Sequence, residues 1–285
     1  MSLKLKHYAS ALAAGLLVLT SAMASAQATV SAAPADSAGY TYADLVDLAD
    51  SAPLVIHAKV AKMLRVEDAR APGLGPGMAR YYVKASTVTL LAGQTVLGES
   101  LAYLVDLPLD ARGKVANLKK RDVLLFARPV PGRPGELQLI SPGAQMLWSE
   151  PLDARIRRIL QALVSPDAPA RVTGVRELLH VPGTLAGQGE TQIFLTTQDG
   201  SAASLTVRHQ PGAPAAWGAS FSELVADVSR PPRPETLEWY RLACFLPNTP
   251  PPGANVSEGP AARQQAAADY RMVLGELGLC RRSRG

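Results

Sequence analysis

The sequence is poor in the side chains on which most enzymes and metal proteins depend. Its 285 residues include two cysteines and four histidines, and no two histidines have the close spacing of metal ligands. It contains neither the G-x-S-x-G motif of serine hydrolases nor the S-x-x-K motif of penicillin-binding enzymes. These absences remove the local signatures of catalysis, and we predict no catalytic, cofactor-binding or metal-binding residue.

Long apolar runs are also absent after the first 26 residues. Lys4 and Lys6 are followed by an apolar run at 11–19 and by Ala24-Ser25-Ala26, the layout of a secretory signal peptide. The alternative, a membrane anchor, needs about 20 apolar residues, and this run is too short. We therefore expect residues 1–26 to be removed, a periplasmic or secreted protein, and no transmembrane anchor after signal cleavage.

Positive charge is present but modest. The chain carries +5, of which Lys4 and Lys6 contribute two, so +3 remains after residue 26. Basic residues do not gather on one element, and we expect no nucleic-acid partner. Only the tail has a basic cluster, Arg281, Arg282 and Arg284, which is either solvated or in contact with an anionic envelope surface.

The two cysteines, Cys244 and Cys280, lie in the last fifth of the chain. An even number of cysteines in an exported protein predicts a disulfide. Each cysteine follows apolar residues at steps of three and four, so each is expected on the apolar stripe of its own helix. The proline-rich segment 247–253 would turn the chain between the two helices. A catalytic or metal-binding thiol is the alternative, but no C-x-x-C motif supports it.

Strand-length segments dominate residues 39–148. A short helix from Tyr42 to Ala49, ended by Pro53, precedes five segments rich in β-branched and aromatic residues. Five strands at this spacing predict a small closed or nearly closed barrel. The predicted strands are 54–66, 81–93, 100–108, 122–130 and 136–140.

Three of these segments also resemble a known family. The short helix followed by SAPLVIHAKV, VKASTVTLLAG and LKKRDVLLFARPV is similar to the OB-type barrel of netrin-like and metalloprotease-inhibitor-like domains, over residues 40–148. The resemblance implies an OB-like barrel. Inhibitors of that type act through an N-terminal cysteine, which residues 40–148 lack. Neither the inhibitory mechanism nor any site residue is therefore carried over.

The rest of the chain alternates between helix and strand patterns. The predicted fold class is α+β, mainly β: an N-terminal OB-like five-stranded barrel, a second small antiparallel sheet and a C-terminal helical pair. Asp199-Gly200 predicts a hairpin in the second sheet, and Ser220 with Glu223 a capping box that begins a helix at 220–228. The predicted boundaries are 1–26 signal peptide, 27–38 flexible lead-in, 39–148 OB-like domain, 149–165 connecting helix, 170–230 small sheet (172–181, 190–198, 202–209) plus helix, and 234–280 disulfide-linked helical pair.

Four weaker features bear on function, and three of them have two interpretations. Three aspartates at helical spacing, Asp44, Asp47 and Asp50, form a solvated helix face or bind a cation. The glycine-rich loop 73–77 resembles a phosphate loop only in its glycines. The loop 183–192 is a hairpin connection or a mobile binding loop. The lone strand histidines are structural or surface residues: His57, His180 and His209.

Two classes of function, and a purely structural exported domain, agree with this sequence. The first class is a non-catalytic envelope module that binds an envelope protein, a polymer or a small ligand. The second is a periplasmic hydrolase with dispersed catalytic residues, for example His180 or His209 with a distant acid. The missing catalytic signatures favour binding. A deep pocket that joins histidine, acid and hydroxyl would favour the hydrolase, and a grooved β surface with exposed aromatics would favour binding.

Overall fold

Five strands close into a barrel in the computed structural model, which describes residues 39–222 and 230–283. The strands are β1 (Leu54–Arg65), β2 (Met78–Ala92), β3 (Ser100–Pro108), β4 (Asp122–Pro129) and β5 (Glu136–Leu139). Their order is β1-β2-β3-β5-β4, and a β1–β4 pairing closes the ring. The β3–β5 pairing is parallel and the others are antiparallel. The predicted five-stranded barrel is confirmed, and its strand order is compatible with an OB-like barrel.

The barrel strands follow from their hydrophobic patterns. β3 alternates between buried and more exposed side chains, as expected where one face points into the barrel. β4 is buried at five successive positions, 123–127, because β1, β5 and a short sixth strand, β6 (Gln145–Leu147), all pair with it. The sequence did not predict β6, since three residues are too few for a recognisable pattern.

Two helices flank the barrel in the chain and pack on each other: α1 (Tyr42–Ser51) and α2 (Glu150–Leu163). Thr41 and Asp44 form a capping box at the start of α1, which ends two residues before Pro53. Ser149 caps the first turn of α2, where a proline is tolerated. Both helices lie where the sequence predicts them.

A second antiparallel sheet follows, in the order β10-β9-β8-β7. Its strands are β7 (Val172–Pro182), β8 (Gly189–Thr197), β9 (Ser204–His209) and β10 (Ala216–Ser220). The sequence predicted the first three and missed β10, a five-residue strand that contains the buried Trp217. Asp199 and Gly200 lie in the β8–β9 connection, but this loop is longer than a two-residue turn.

The chain ends in α3 (Leu237–Ala243) and α4 (Gly259–Leu277), with α4 packed on β7 and β8. Cys244 caps the end of α3. The expectation that Cys280 lies on a helix is wrong, because Gly278 adopts a φ of +71° and ends α4 before it. The predicted helix 220–228 lies largely outside the described residues, as do the signal peptide and the lead-in.

One continuous hydrophobic core joins the barrel, the second sheet and the helices. It includes Leu45 of α1, Phe126 of β4, Ile193 of β8 and Tyr240 of α3, each with no measurable exposure. The described residues accordingly form one compact unit.

Candidate functional site

An apolar stripe crosses three strands on the outer face of the barrel. Leu64 of β1 lies opposite Tyr82 of β2, and Tyr82 lies opposite Leu104 of β3. Side chains directly opposite each other point to the same face of a sheet. Leu64 is 43% exposed and Leu104 is 50% exposed, so the barrel presents a row of apolar groups to its surroundings.

A groove of about 650 Å³ contains two members of the stripe, Tyr82 and Leu104, and has polar walls. On one side, the Arg80 guanidinium donates to both carboxylate oxygens of Asp106, at 2.6 and 2.8 Å. This pairing raises the pKa of Arg80, which stays charged. On the other side, Arg128 donates to Gln138 at 3.1 Å. The volume lies within the range of small-ligand pockets, and the walls offer donors and acceptors held by their neighbours.

A second cluster joins the second sheet to α4. Asp269 of α4, which is 2% exposed, accepts hydrogen bonds from the Thr191 hydroxyl, from Gln265 at 2.9 Å and from His209 Nε2 at 2.9 Å. His180 Nδ1 lies 2.8 Å from the Thr191 hydroxyl. The structure therefore brings together His180, His209 and a distant acid, the residue types that a dispersed hydrolase site would need.

The direction of the hydrogen bonds in this cluster does not match a hydrolytic triad. A triad needs an imidazole lone pair facing the hydroxyl that becomes the nucleophile. Here the Thr191 hydroxyl donates its proton to Asp269, so His180 Nδ1–H must be the donor to Thr191. Thr191 is also fully buried. The arrangement fixes α4 to the sheet and does not prepare Thr191 for attack.

The position of His180 has an electrostatic consequence. Its backbone N–H donates to the buried Ser257 hydroxyl at 2.9 Å, and its ring packs against Gly189. Burial lowers the pKa of His180, the Asp269 carboxylate opposes this effect, and His209 adds to it. His180 is thus favoured in its neutral form, which matches a single Nδ1 proton donated to Thr191.

The three aspartates of α1 are neither a solvated face nor a cation site. Asp50 pairs with Arg241 and Arg171 at 2.8 and 2.7 Å. Asp47 accepts the Tyr240 hydroxyl and pairs with Arg282 at 2.6 Å. The interpretation of Asp47 and Asp50 as a solvated face is wrong, because cationic and hydroxyl donors from later parts of the chain contact them.

Asp44 is the most buried of these acids. It accepts hydrogen bonds from Thr41 and from the backbone and hydroxyl of Ser283. Burial alone would raise the pKa of Asp44, but the hydrogen bonds from Ser283 and Thr41 outweigh it and lower the pKa. The tail is therefore docked on α1 through Arg282 and Ser283, whereas Arg284 lies outside the described residues.

The two remaining candidates, His57 and the 183–192 loop, make structural contacts. His57 stacks on Trp148 with ring centroids 4.9 Å apart, and its Nε2 lies 3.1 Å from Asp122. The 183–192 segment is a hairpin connection, in which Gly183 N–H donates to the Gln188 carbonyl at 2.8 Å and β8 begins at Gly189.

The two cysteines are bonded to each other, Cys244 to Cys280. In the part of the chain that the structure describes, no group of three or more histidine, cysteine or acidic side chains could hold a metal ion. No helix among the same residues is both long and apolar enough to cross a membrane.

Comparisons with known proteins identify no relative of this chain, so the site is interpreted from its geometry. A scan against protein-family models finds no match to this chain, and a search of the curated proteins finds no similar sequence.

Proposed function

We propose that this protein is a non-catalytic envelope module that binds a partner or ligand on the outer face of its barrel. The apolar stripe of Leu64, Tyr82 and Leu104, in which both leucines are exposed, is the single observation that carries the proposal. The groove around it adds fixed polar groups, which would orient a ligand. The Thr191 hydroxyl donates its proton to Asp269 and is not activated by a histidine, which argues against the hydrolase alternative.

Export is part of this proposal. The first 26 residues have the pattern of a signal peptide, and a disulfide between Cys244 and Cys280 is compatible with an oxidising compartment. We expect N-terminal sequencing of the natively produced protein to begin near Gln27. A natively produced protein that retains residues 1–26 in the cytosol would contradict export.

Binding can be tested with a panel of neutral and anionic oligosaccharides and of acidic and basic peptides. We expect at least one class to shift the amide resonances of Leu64, Tyr82 and Leu104 in a chemical-shift titration. Leu104→Ser should weaken that binding. The matched control is Leu147→Ser, because Leu147 is 47% exposed and lies on β6, outside the groove.

The control variant Leu147→Ser should bind the same ligand with an affinity within twofold of the wild type. Resonance shifts confined to the second sheet, or equal losses in the two serine variants, would refute the outer face of the barrel as the binding site.

A further inference from the structure

Positive charge surrounds the apolar stripe. The stripe and groove are accompanied by more basic than acidic side chains, although the whole chain has only a modest net charge. The basic side chains are Lys62, Arg80, Lys84, Arg128 and Arg133, and the acidic ones are Asp106 and Glu136. The outer face of the barrel is therefore suited to an anionic ligand.

Two of these charges face each other without compensation. Lys62 of β1 lies directly opposite Lys84 of β2, and both side chains are exposed. Among the described residues neither lysine forms an ion pair, whereas Arg80 pairs with Asp106 and Arg133 with Glu136. Like charges directly opposite each other destabilise a sheet. An anion bound between the two lysines would remove this repulsion.

We propose that the outer face of the barrel binds an acidic polysaccharide, an inference that rests on the proposed binding function. The apolar faces of sugar rings would lie on the stripe, which crosses about 10 Å because neighbouring strands are about 4.8 Å apart. Carboxylates of the polymer would lie between Lys62 and Lys84, two residues along the strands from Leu64 and Tyr82 and on the same face of the sheet. Gln138 and the Arg80–Asp106 pair supply hydrogen-bonding partners for ring hydroxyls.

Two other anionic macromolecules fit this face less well. An acidic peptide commonly binds a sheet by adding a strand to a free edge, whereas the lysine pair and the stripe lie on the face of the paired strands β1, β2 and β3. Single-stranded nucleic acid stacks successive bases on several aromatic rings. Tyr82 is the one aromatic member of the three-residue stripe, so stacking of successive bases is not supported there.

The inference can be tested by calorimetric titration of the chain from Gln27 onward, with its disulfide intact. The probes are an oligogalacturonate and a neutral glucose oligomer of the same length. We expect the oligogalacturonate to bind, and we expect its affinity to fall as the salt concentration rises. Lys62→Gln with Lys84→Gln should reduce its affinity about five- to tenfold, since each exposed ion pair contributes modestly.

The matched control is Arg233→Gln with Arg271→Gln, which removes two exposed charges elsewhere. This double variant should keep its affinity for the oligogalacturonate within twofold of the wild type. Equal loss in both double variants would overturn the inference, since only net charge would matter. Tighter binding of single-stranded DNA would also overturn it.

The two proposals fail in distinguishable ways. If the neutral oligomer binds as tightly as the anionic one and shifts the resonances of Leu64, Tyr82 and Leu104, the binding function holds and the preference for acidic polymers is wrong. If no probe of the wider panel shifts these resonances, both proposals are wrong.

Discussion

At Gly189 the missing β-carbon makes room for the His180 ring. A β-carbon at this position would lie 2.7 Å from His180 Cε1 and 2.9 Å from Nε2. We expect Gly189→Ala to lower the free energy of unfolding by about 1–3 kcal/mol, because the buried ring would have to shift. Urea unfolding measures this change.

Gly275 of α4 provides the matched control. A β-carbon there has open space around it, and alanine favours the helix over glycine. Gly275→Ala should therefore raise the free energy of unfolding by about 0.5–1 kcal/mol. Equal effects of the two substitutions would contradict the close approach of Gly189 and His180.

Thr191 connects His180 to Asp269 through its hydroxyl. Thr191→Val keeps the shape of the side chain but removes the hydroxyl that hydrogen-bonds His180 and Asp269. Leaving these two buried polar groups without that partner should lower the free energy of unfolding by about 1–3 kcal/mol. Thr173→Val is the control, because Thr173 is exposed and contacts only Thr196 through its hydroxyl. The control should stay within about 0.5 kcal/mol of the wild type. Unfolding curves with equal midpoints for the two variants would show that the buried hydroxyl is dispensable.

The sequence could predict part of this cluster. Two consecutive hairpins place His180 opposite Thr191 and His209 opposite Gly189, and hairpin register follows from strand and turn patterns. Asp269 could not be assigned in the same way. It lies on a helix 60 residues after His209, and its position depends on how α4 packs on the sheet.

At the scale of elements, the contact between α4 and the second sheet should depend on pH. Burial lowers the pKa of His180 below the 6.5 of the unfolded chain. As pH falls through 6.5, the unfolded chain takes up a proton that folded His180 resists. The free energy of unfolding therefore falls, by at most about 1.4 kcal/mol per pH unit for this one proton. The groups facing His180 are Thr191, Asp269 and His209.

Urea unfolding between pH 8 and pH 5 measures this effect. We expect His180→Gln to reduce the slope between pH 6.5 and 5. The control is His57→Gln, because His57 lies in the barrel and faces Asp122, and it should leave the contribution of His180 intact. A His180→Gln slope equal to that of the wild type would show that His180 does not link proton binding to folding.

The elements themselves differ in how well sequence predicts them. The barrel strands have strand-length apolar patterns and were predicted to within a few residues. β10 was missed because AWGAS contains two alanines and a glycine, which give little strand signal, and its one large side chain is a buried tryptophan. The groove on the outer face depends on register across non-consecutive strands, such as the parallel β3–β5 pairing, which local patterns do not determine.

At the scale of the whole molecule, the disulfide ties the tail to α3. The two cysteines are 36 residues apart, and a cross-link of this length restricts the unfolded chain. We expect replacement of Cys244 and Cys280 by serine to lower the free energy of unfolding by about 2–4 kcal/mol. Thermal unfolding with and without the substitutions measures this loss.

Ligand affinity supplies the control for the double serine variant. The outer face of the barrel contains neither cysteine, so the folded variant should retain its affinity for the ligand. Lost affinity in a variant that is still folded would instead place a functional site on the tail. Two free thiols in natively exported protein, seen by mass spectrometry, would contradict the pairing.

The docking of the tail on α1 has a consequence for the order of folding. Ser283 contacts Asp44 across 239 residues of sequence, and Arg282 contacts Asp47 across 235. Contacts between such distant residues form late, because a long loop must close first. During synthesis, the first helix of the folded unit therefore remains without these partners until residues 282 and 283 have been made. A nascent chain that lacks these two residues cannot form the contacts that hold Asp44 and Asp47, so it is less stably folded than the longer chain.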